Sequence, residues 1–308
     1  MLRERLNIQK ALVLDGALAT ELEARGCDIN DTLWSAKILM EQPELIRQVH
    51  YDYYVAGADI GISSSYQATI PGFVQRGCSE AQARELIRDS VRLLKEAAEA
   101  YWLQGRQAGK MRPIVAASVG PYGAYLADGS EYRGDYACTE EELVNFHRER
   151  MQLLEEAGAD LFACETIPCL QEARAILKAM EQRKLTCWMS FSCRDERHIS
   201  EGTPIAVCAE FLQEQEQVEA IGINCTAPEW IEGLIREIRR VSDKPIIVYG
   251  NSGEIYDPQA KVWKGNPCGV AYSAWAPRWY AAGADIIGGC CRTSPADISQ
   301  IRIWRDSL

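Results

Sequence analysis

Three cysteines stand where a metal or a redox couple could form. Two are adjacent, in Ile286-Ile287-Gly288-Gly289-Cys290-Cys291-Arg292, and the third closes Ile221-Gly222-Ile223-Asn224-Cys225. Each group ends an apolar, strand-like run. Three thiolates would hold zinc and leave its fourth position open, the catalytic rather than the structural pattern. Soft sulfur favours zinc over magnesium or calcium. Two other readings fit the same residues. One cysteine of the pair could face the core while the other stays idle, or the pair could close a vicinal disulfide. No Cys-x-x-Cys is present. Neighbouring side chains on a regular strand point to opposite faces. A shared metal therefore demands that the strand break at Gly288-Gly289. The histidines do not compete as ligands. His50 and His147 fall in helical stretches, on solvated or helix-packing faces, and His198 lies in the polar loop 194–202.

Carboxylates end two further apolar runs. Glu165, in Cys164-Glu165-Thr166, is costly there unless it has a partner. It could form a structural ion pair, or it could receive a substrate ammonium group. Asp15 offers the same choice, and Gly16 beside it could leave backbone N–H groups open to a carboxylate. Together they would suit an amino acid. Other polar groups at the ends of apolar runs are Ser64, Ser65, Tyr66 and Gln67, then Asn224, then Asn251, Ser252 and Gly253.

These residues need a frame that gathers strand ends. Ala-Gly-Ala-Asp occurs at 56–59, 157–160 and 282–285, each time closing a helical stretch and opening an apolar run. Glycine suits the left-handed position after a helix. Candidate strands are 11–15, 60–65, 113–118, 160–165, 187–193, 220–225, 245–250 and 285–290. They are short and apolar, as parallel strands covered on both faces are. Helix starts are signalled by Ser79…Gln82, Thr139…Glu142 and Thr226…Glu229, and by Thr203-Pro204 and Ser294-Pro295. Eight strand–helix units predict a single (β/α)₈ barrel, one domain over residues 1–308. A doubly wound sheet is the rival, but no Gly-x-Gly-x-x-Gly follows the first strand. In a barrel the residues named above meet at one mouth. The stretch 122–138 is expected to be an irregular loop over it.

Composition narrows the class of partner. The chain has 308 residues, 47% apolar and 25% charged, with net charge −11 and no basic cluster. This excludes nucleic acid and an anionic membrane as expected partners. No run approaches a membrane span, and the start lacks a signal-peptide pattern. The twelve cysteines read as reduced thiols in a cytoplasmic protein. Cys164, Cys187, Cys193 and Cys208 are expected to fill the core.

The ordered set Leu14-Asp15-Gly16-Ala17-Leu18-Ala19-Thr20-Glu21-Leu22, Cys164-Glu165-Thr166, Gly222-Ile223-Asn224-Cys225, Asn251-Ser252-Gly253-Glu254 and Gly288-Gly289-Cys290-Cys291-Arg292 resembles the homocysteine S-methyltransferase family. The resemblance spans nearly the whole chain. It implies a (β/α)₈ barrel with catalytic Zn²⁺ bound by Cys225, Cys290 and Cys291. It implies that Glu165 holds the homocysteine amino group and that Asp15 with the Gly16 backbone positions the amino-acid end. Thr166, Tyr66, Asn224 and Asn251 are expected to complete the substrate site. Tyr66, Tyr122 and Tyr125 lie on candidate loops that could face a cationic donor. The S-methylmethionine branch is the best match, with S-adenosylmethionine as a further possible donor. Tyr249-Gly250-Asn251 departs from that branch, which commonly has proline before the asparagine. The expected reaction is methyl transfer from a sulfonium to homocysteine, giving methionine, by a monomer acting on small molecules. The alternatives are a betaine-type or selenocysteine methyltransferase of the same family, and a non-enzymatic zinc or thiol sensor. A Schiff-base lyase has little support, because Lys110, Lys184 and Lys244 precede predicted strands and sit at the wrong face.

Overall fold

The computed structural model describes residues 1–28, 35–105, 111–253, 255–257, 262–264 and 271–308. Lys110 and Glu254 lie outside them. Eight parallel strands form the sheet: β1 (Leu12–Val13), β2 (Ile60–Ile62), β3 (Ile114–Val119), β4 (Leu161–Ile167), β5 (Cys187–Phe191), β6 (Val218–Asn224), β7 (Ile246–Gly250) and β8 (Ile286–Gly289). Each predicted run overlaps one of them, and β3, β4 and β6 extend one or two residues beyond theirs. β2 through β7 pair in sequence, β8 pairs with β7, and β1 pairs with β8. A bridge between Leu14 and Ile60 joins β1 to β2 and closes the ring.

One major helix follows each strand: α1 (Pro43–Ala56), α2 (Glu80–Gly105), α3 (Glu140–Glu156), α4 (Leu170–Ala179), α5 (Ile205–Gln213), α6 (Pro228–Arg239), α7 (Ala276–Ala282) and α8 (Pro295–Asp306). The result is the (β/α)₈ barrel that the pattern predicted. A short antiparallel hairpin, Ile255–Asp257 with Val262–Lys264, is added after β7.

The Ala-Gly-Ala-Asp junctions have a second purpose besides ending helices. Gly57, Gly158 and Gly283 adopt φ of 112°, 87° and 121°, open to glycine alone at little cost. The aspartates that follow accept hydrogen bonds from neighbouring strands. Val13 N–H donates to Asp59 (2.9 Å), Val115 N–H to Asp160 (2.8 Å) and Ile246 N–H to Asp285 (2.8 Å). Each junction thus turns the chain and caps the adjacent strand at the floor of the barrel.

Side chains alternate in and out along the strands, giving two cores. Leu12, Leu14, Ile60, Ile114, Ala116, Leu161, Ala163, Trp188, Ala220, Ile247, Tyr249 and Ile286 fill the barrel, with Leu2 plugging it. Val115, Ala117, Phe162 and Cys164 face the helix layer. Cys164, Cys187, Cys193 and Cys208 are all buried there, as expected.

Several local expectations change. Ser79, Thr139 and Ser294 make reciprocal caps with Gln82, Glu142 and Asp297. Thr226 caps no helix. Its hydroxyl instead accepts from Cys193 N–H and donates to the Asn224 carbonyl, because α6 begins two residues later. Pro204 precedes α5 rather than opening it. The stretch 122–138 is not irregular throughout, since Tyr122–Leu126 is helical and Ser130–Tyr132 forms a 3₁₀ turn. Of the two alternatives for His50 and His147, burial agrees with the helix-packing face. Burial pushes the His50 pKa down to about 3.

Candidate metal and substrate site

The inward parity of the strands carries upward into chemistry. Above the apolar layers, Ser118, Glu165, Ser190 and Asn224 continue the inward rows of β3, β4, β5 and β6. They form a buried polar tier with Tyr249. Ser190 donates to Asn224 Oδ1 (2.8 Å) and meets the Tyr249 hydroxyl (2.7 Å). Trp188 Nε1–H donates to the same hydroxyl at 3.0 Å. Ser118 donates to Glu165 Oε1.

The three cysteines sit on this tier. Cys225 Sγ lies 2.6 Å from Cys290 Sγ and 4.0 Å from Cys291 Sγ, and the adjacent pair is 3.9 Å apart. Among the described residues this is the one group of three metal-competent side chains within 4.8 Å of one another. Tetrahedral bonds of about 2.3 Å to sulfur place neighbouring thiolates about 3.8 Å apart. Two edges of the triangle match that spacing. The third is short by about 1.2 Å, a shift within reach of side-chain rotation.

The strand does not break at the glycines. β8 stays in register with β7 through Gly289, opposite Gly250, and ends there. Cys290 then continues the inward row of Ile286 and Gly288. Its carbonyl accepts from Thr293 N–H (3.1 Å) and Oγ1 (2.7 Å), which turns the chain at once and swings Cys291 to the same side. The glycines matter for close approach. A Cβ on Gly288 would stand 2.5 Å from Leu14 Cβ, and one on Gly289 would collide with the Thr293 side chain. Thr166, Cys225 and Arg292 have φ of 59°, 46° and 67°. Left-handed non-glycine residues are strained, and here they cluster at the ends of three barrel strands.

Charge explains what the cluster wants. Hydrogen bonds from Cys290, then Cys291, hold the Cys225 thiol well below its ordinary range. The same contacts with Cys225 hold the Cys290 and Cys291 thiols well above theirs. One thiolate forms readily, and further ionisation works against accumulated negative charge. A cation removes that obstacle.

A cavity opens over the thiols. It is lined by Asp15, Gly16, Tyr66, Glu131, Glu165 and Thr166, among others, and by all three cysteines. Asp15 accepts from Ile62 N–H at 2.7 Å. Burial, with the Glu165 charge nearby, pushes its pKa well above the carboxylate range. Burial pushes Glu165 to about 7, against the hydrogen bond from Ser118. Two buried acids of raised pKa line one cavity and pair with no cation among the described residues, an arrangement suited to a ligand ammonium group.

Of the residues expected at the site, two do not line the cavity. Asn224 is wholly buried and holds Thr166, accepting from its N–H (2.7 Å) and donating to its Oγ1 (2.7 Å). Asn251 donates its N–H to the Thr226 carbonyl at 3.0 Å, beside the thiols but outside the cavity lining. Tyr122 and Tyr125 pack with Phe146 instead of facing the site. Sequence reasoning missed Glu131 and Tyr132, which the 3₁₀ turn presents to the cavity. No strand end announces them. The available signal was acidic and aromatic residues together in 122–138.

Fold and site together define a parallel barrel whose chemistry centres on sulfur. The homocysteine S-methyltransferase family profile matches residues 12–304. Homocysteine S-methyltransferase YbgG of Bacillus subtilis is 56% identical over 305 residues, covering 98% of this chain and 97% of its own. The Escherichia coli homocysteine S-methyltransferase is 51% identical over 304 residues, with 98% and 97% covered. The crystal structure of the Escherichia coli homocysteine methyltransferase MmuM in its metallated form superposes with a TM-score of 0.89. It is 48% identical and covers 98% of this chain and 99% of its own. The chain belongs to the homocysteine S-methyltransferase family. It is an enzyme that transfers a methyl group to homocysteine.

Proposed function

We propose that the enzyme, acting as one domain over residues 1–308, takes its methyl group from a sulfonium, S-methylmethionine foremost and S-adenosylmethionine second, with zinc held by Cys225, Cys290 and Cys291. The observation that carries the reading is the thiol triangle at the floor of an acidic cavity. When bound there, zinc would supply Lewis acidity that keeps the homocysteine sulfur deprotonated at neutral pH. The protein's part is binding and alignment. Glu165 and Asp15 receive the homocysteine ammonium, the Gly16 backbone faces its carboxylate, and Thr166, held by Asn224, fixes the wall between Glu165 and the thiols. Tyr66 borders the donor side. Asn251 anchors the chain after β7 beside Cys291. The sulfur then attacks the donor methyl carbon in line. The S–CH₃ bond of the sulfonium breaks, its electron pair stays on the departing sulfur, and both products are neutral thioethers. Positioning carries much of the rate.

Eleven described cysteines are free thiols, which suits a reducing cytoplasm, our proposed location. No described helix is long and apolar enough to cross a membrane. We propose a monomer.

Cys290→Ser tests the centre. Bound zinc should fall from one per chain toward none, and methyl transfer should drop at least about a hundredfold, with the circular-dichroism spectrum retained. Full activity in a metal-free variant would sink the zinc assignment. Assays with S-methylmethionine, S-adenosylmethionine and betaine in parallel decide the donor.

A further inference from the structure

Glu131 is buried, and its Oε2 has no hydrogen-bond partner among the described residues. A carboxylate in that position costs stability, because its lost hydration is not replaced. The nearest cation in sequence, Arg133, is taken by Asp135 (3.2 Å) and Asp128 (3.9 Å). Yet the structure holds Glu131 firmly. Its carbonyl accepts from Ser192 Oγ (3.2 Å), and its backbone packs so closely on Gly123 that no Cβ would fit there. The segment is tied on both flanks to Glu172, through Tyr122 N–H (2.5 Å) and the Tyr136 hydroxyl (2.6 Å). An acid with one carboxylate oxygen left without a hydrogen-bond partner is thus held, by rigid backbone, in the lining of a cavity that also holds Tyr66, Tyr132 and Cys225. These four groups are mutual electrostatic neighbours.

An ammonium group is recognised by several hydrogen-bond acceptors at once, as Asp15 and Glu165 provide. A sulfonium has no N–H to donate. It is held by charge and by aromatic faces. Glu131, with Tyr66 and Tyr132 as its neighbours in the cavity, has that second character.

We propose that Glu131, with the rings of Tyr66 and Tyr132, is the seat of the donor's sulfonium charge, and so a specificity-determining residue for a cationic methyl donor. The proposal rests on the reading of the thiol cluster as the reaction centre. The seat also gives direction to the reaction. The donor arrives charged and leaves as a neutral thioether, so the attraction to Glu131 ends with transfer and favours product release.

The test uses the zinc-loaded enzyme and two ligands of one shape, S-methylmethionine and its uncharged carbon isostere 2-amino-5-methylhexanoate. Wild-type enzyme should bind the sulfonium at least tenfold more tightly than the isostere, measured as a competitive inhibitor against the donor. Glu131→Gln should raise the donor KM at least tenfold. It should leave the isostere's inhibition constant, the homocysteine KM and the zinc content within twofold. Glu131→Asp should recover part of the loss. Equal wild-type affinity for the two ligands overturns the proposal without any variant. So does a parallel loss of both ligands in Glu131→Gln, which would mark an ammonium or packing role, or no change in donor KM. Failure of the underlying reading looks different: wild-type enzyme with zinc bound would transfer no methyl group from either sulfonium.

Discussion

At the scale of single residues, the site is built from groups whose ordinary charge states are displaced. Glu165 is the clearest case, raised from 4.5 to about 7 by burial. Between those values the folded chain keeps a proton that the unfolded chain has lost. Stability contributed by this group therefore falls as pH rises through that window, and the deficit is complete above about 7. Glu131, raised to about 7 chiefly by burial, acts with the same sign. Urea unfolding of chelator-treated enzyme at pH 5 and pH 8 measures the effect. Glu165→Gln should lose less stability over that interval than wild type, and an unchanged difference would show that Glu165 titrates normally. Asp15, Glu165 and the cysteines were legible in the sequence because each is a polar group ending an apolar run. Asn224 was legible by the same rule, but its place is beneath the cavity lining. Its inward row puts it below the cavity, where its amide serves Thr166 rather than a ligand. Parity along a strand says which way a side chain points, and only depth within the barrel separates floor from lining.

At the scale of elements, the segment between β3 and α3 is fixed by one buried carboxylate. Glu172, in the first turn of α4, accepts from Tyr122 N–H, the Tyr136 hydroxyl and His147 Nε2 (2.9 Å). Arg150 contacts His147 Nδ1 (2.9 Å) and donates to the Gly120 carbonyl (2.6 Å). Removing one member of a buried charged network leaves the others unpaired, at a cost of about 3–5 kcal/mol. Glu172→Gln should lower the chemical-denaturation free energy by about that amount. Because the same segment carries Glu131 and Tyr132, the donor KM should rise as well. A variant as stable as wild type would show that the network is not structural. Nothing in the sequence revealed this clamp. His147 and Arg150 are one helical turn apart, and nothing in that spacing points to a buried carboxylate. Their partner lies more than twenty residues away, and only the fold brings it beneath them.

At the scale of the whole molecule, net charge and cavity charge have the same sign. The chain carries −11, and among the described residues Asp15, Glu23, Glu131 and Glu165 line the cavity against a single arginine, Arg292. S-methylmethionine, the proposed donor, carries one net positive charge, whereas homocysteine carries none. Donor kcat/KM should therefore fall about threefold between 20 and 500 mM salt, while homocysteine kcat/KM changes little. Identical salt responses for the two would mean that the field does not steer the donor. The barrel itself was readable from eight apolar runs of suitable length and spacing, because a strand covered on both faces must be apolar throughout. The aspartate caps beneath it were not readable, since an aspartate before a strand looks like any loop residue until its neighbour is known.

The ring closes through β8, which lies between β7 and β1 and pairs with both. That strand also delivers two of the three thiols. During synthesis, β1 emerges early and waits without a partner on that side until some 270 residues later. Cys225 likewise waits for Cys290 and Cys291. A nascent chain halted before β8 thus has an open seam with exposed strand edges and only one of the three clustered thiols. With zinc at the three thiols as proposed, loading with metal and completion of the barrel would become one late event, and partly made chains could not sequester the ion.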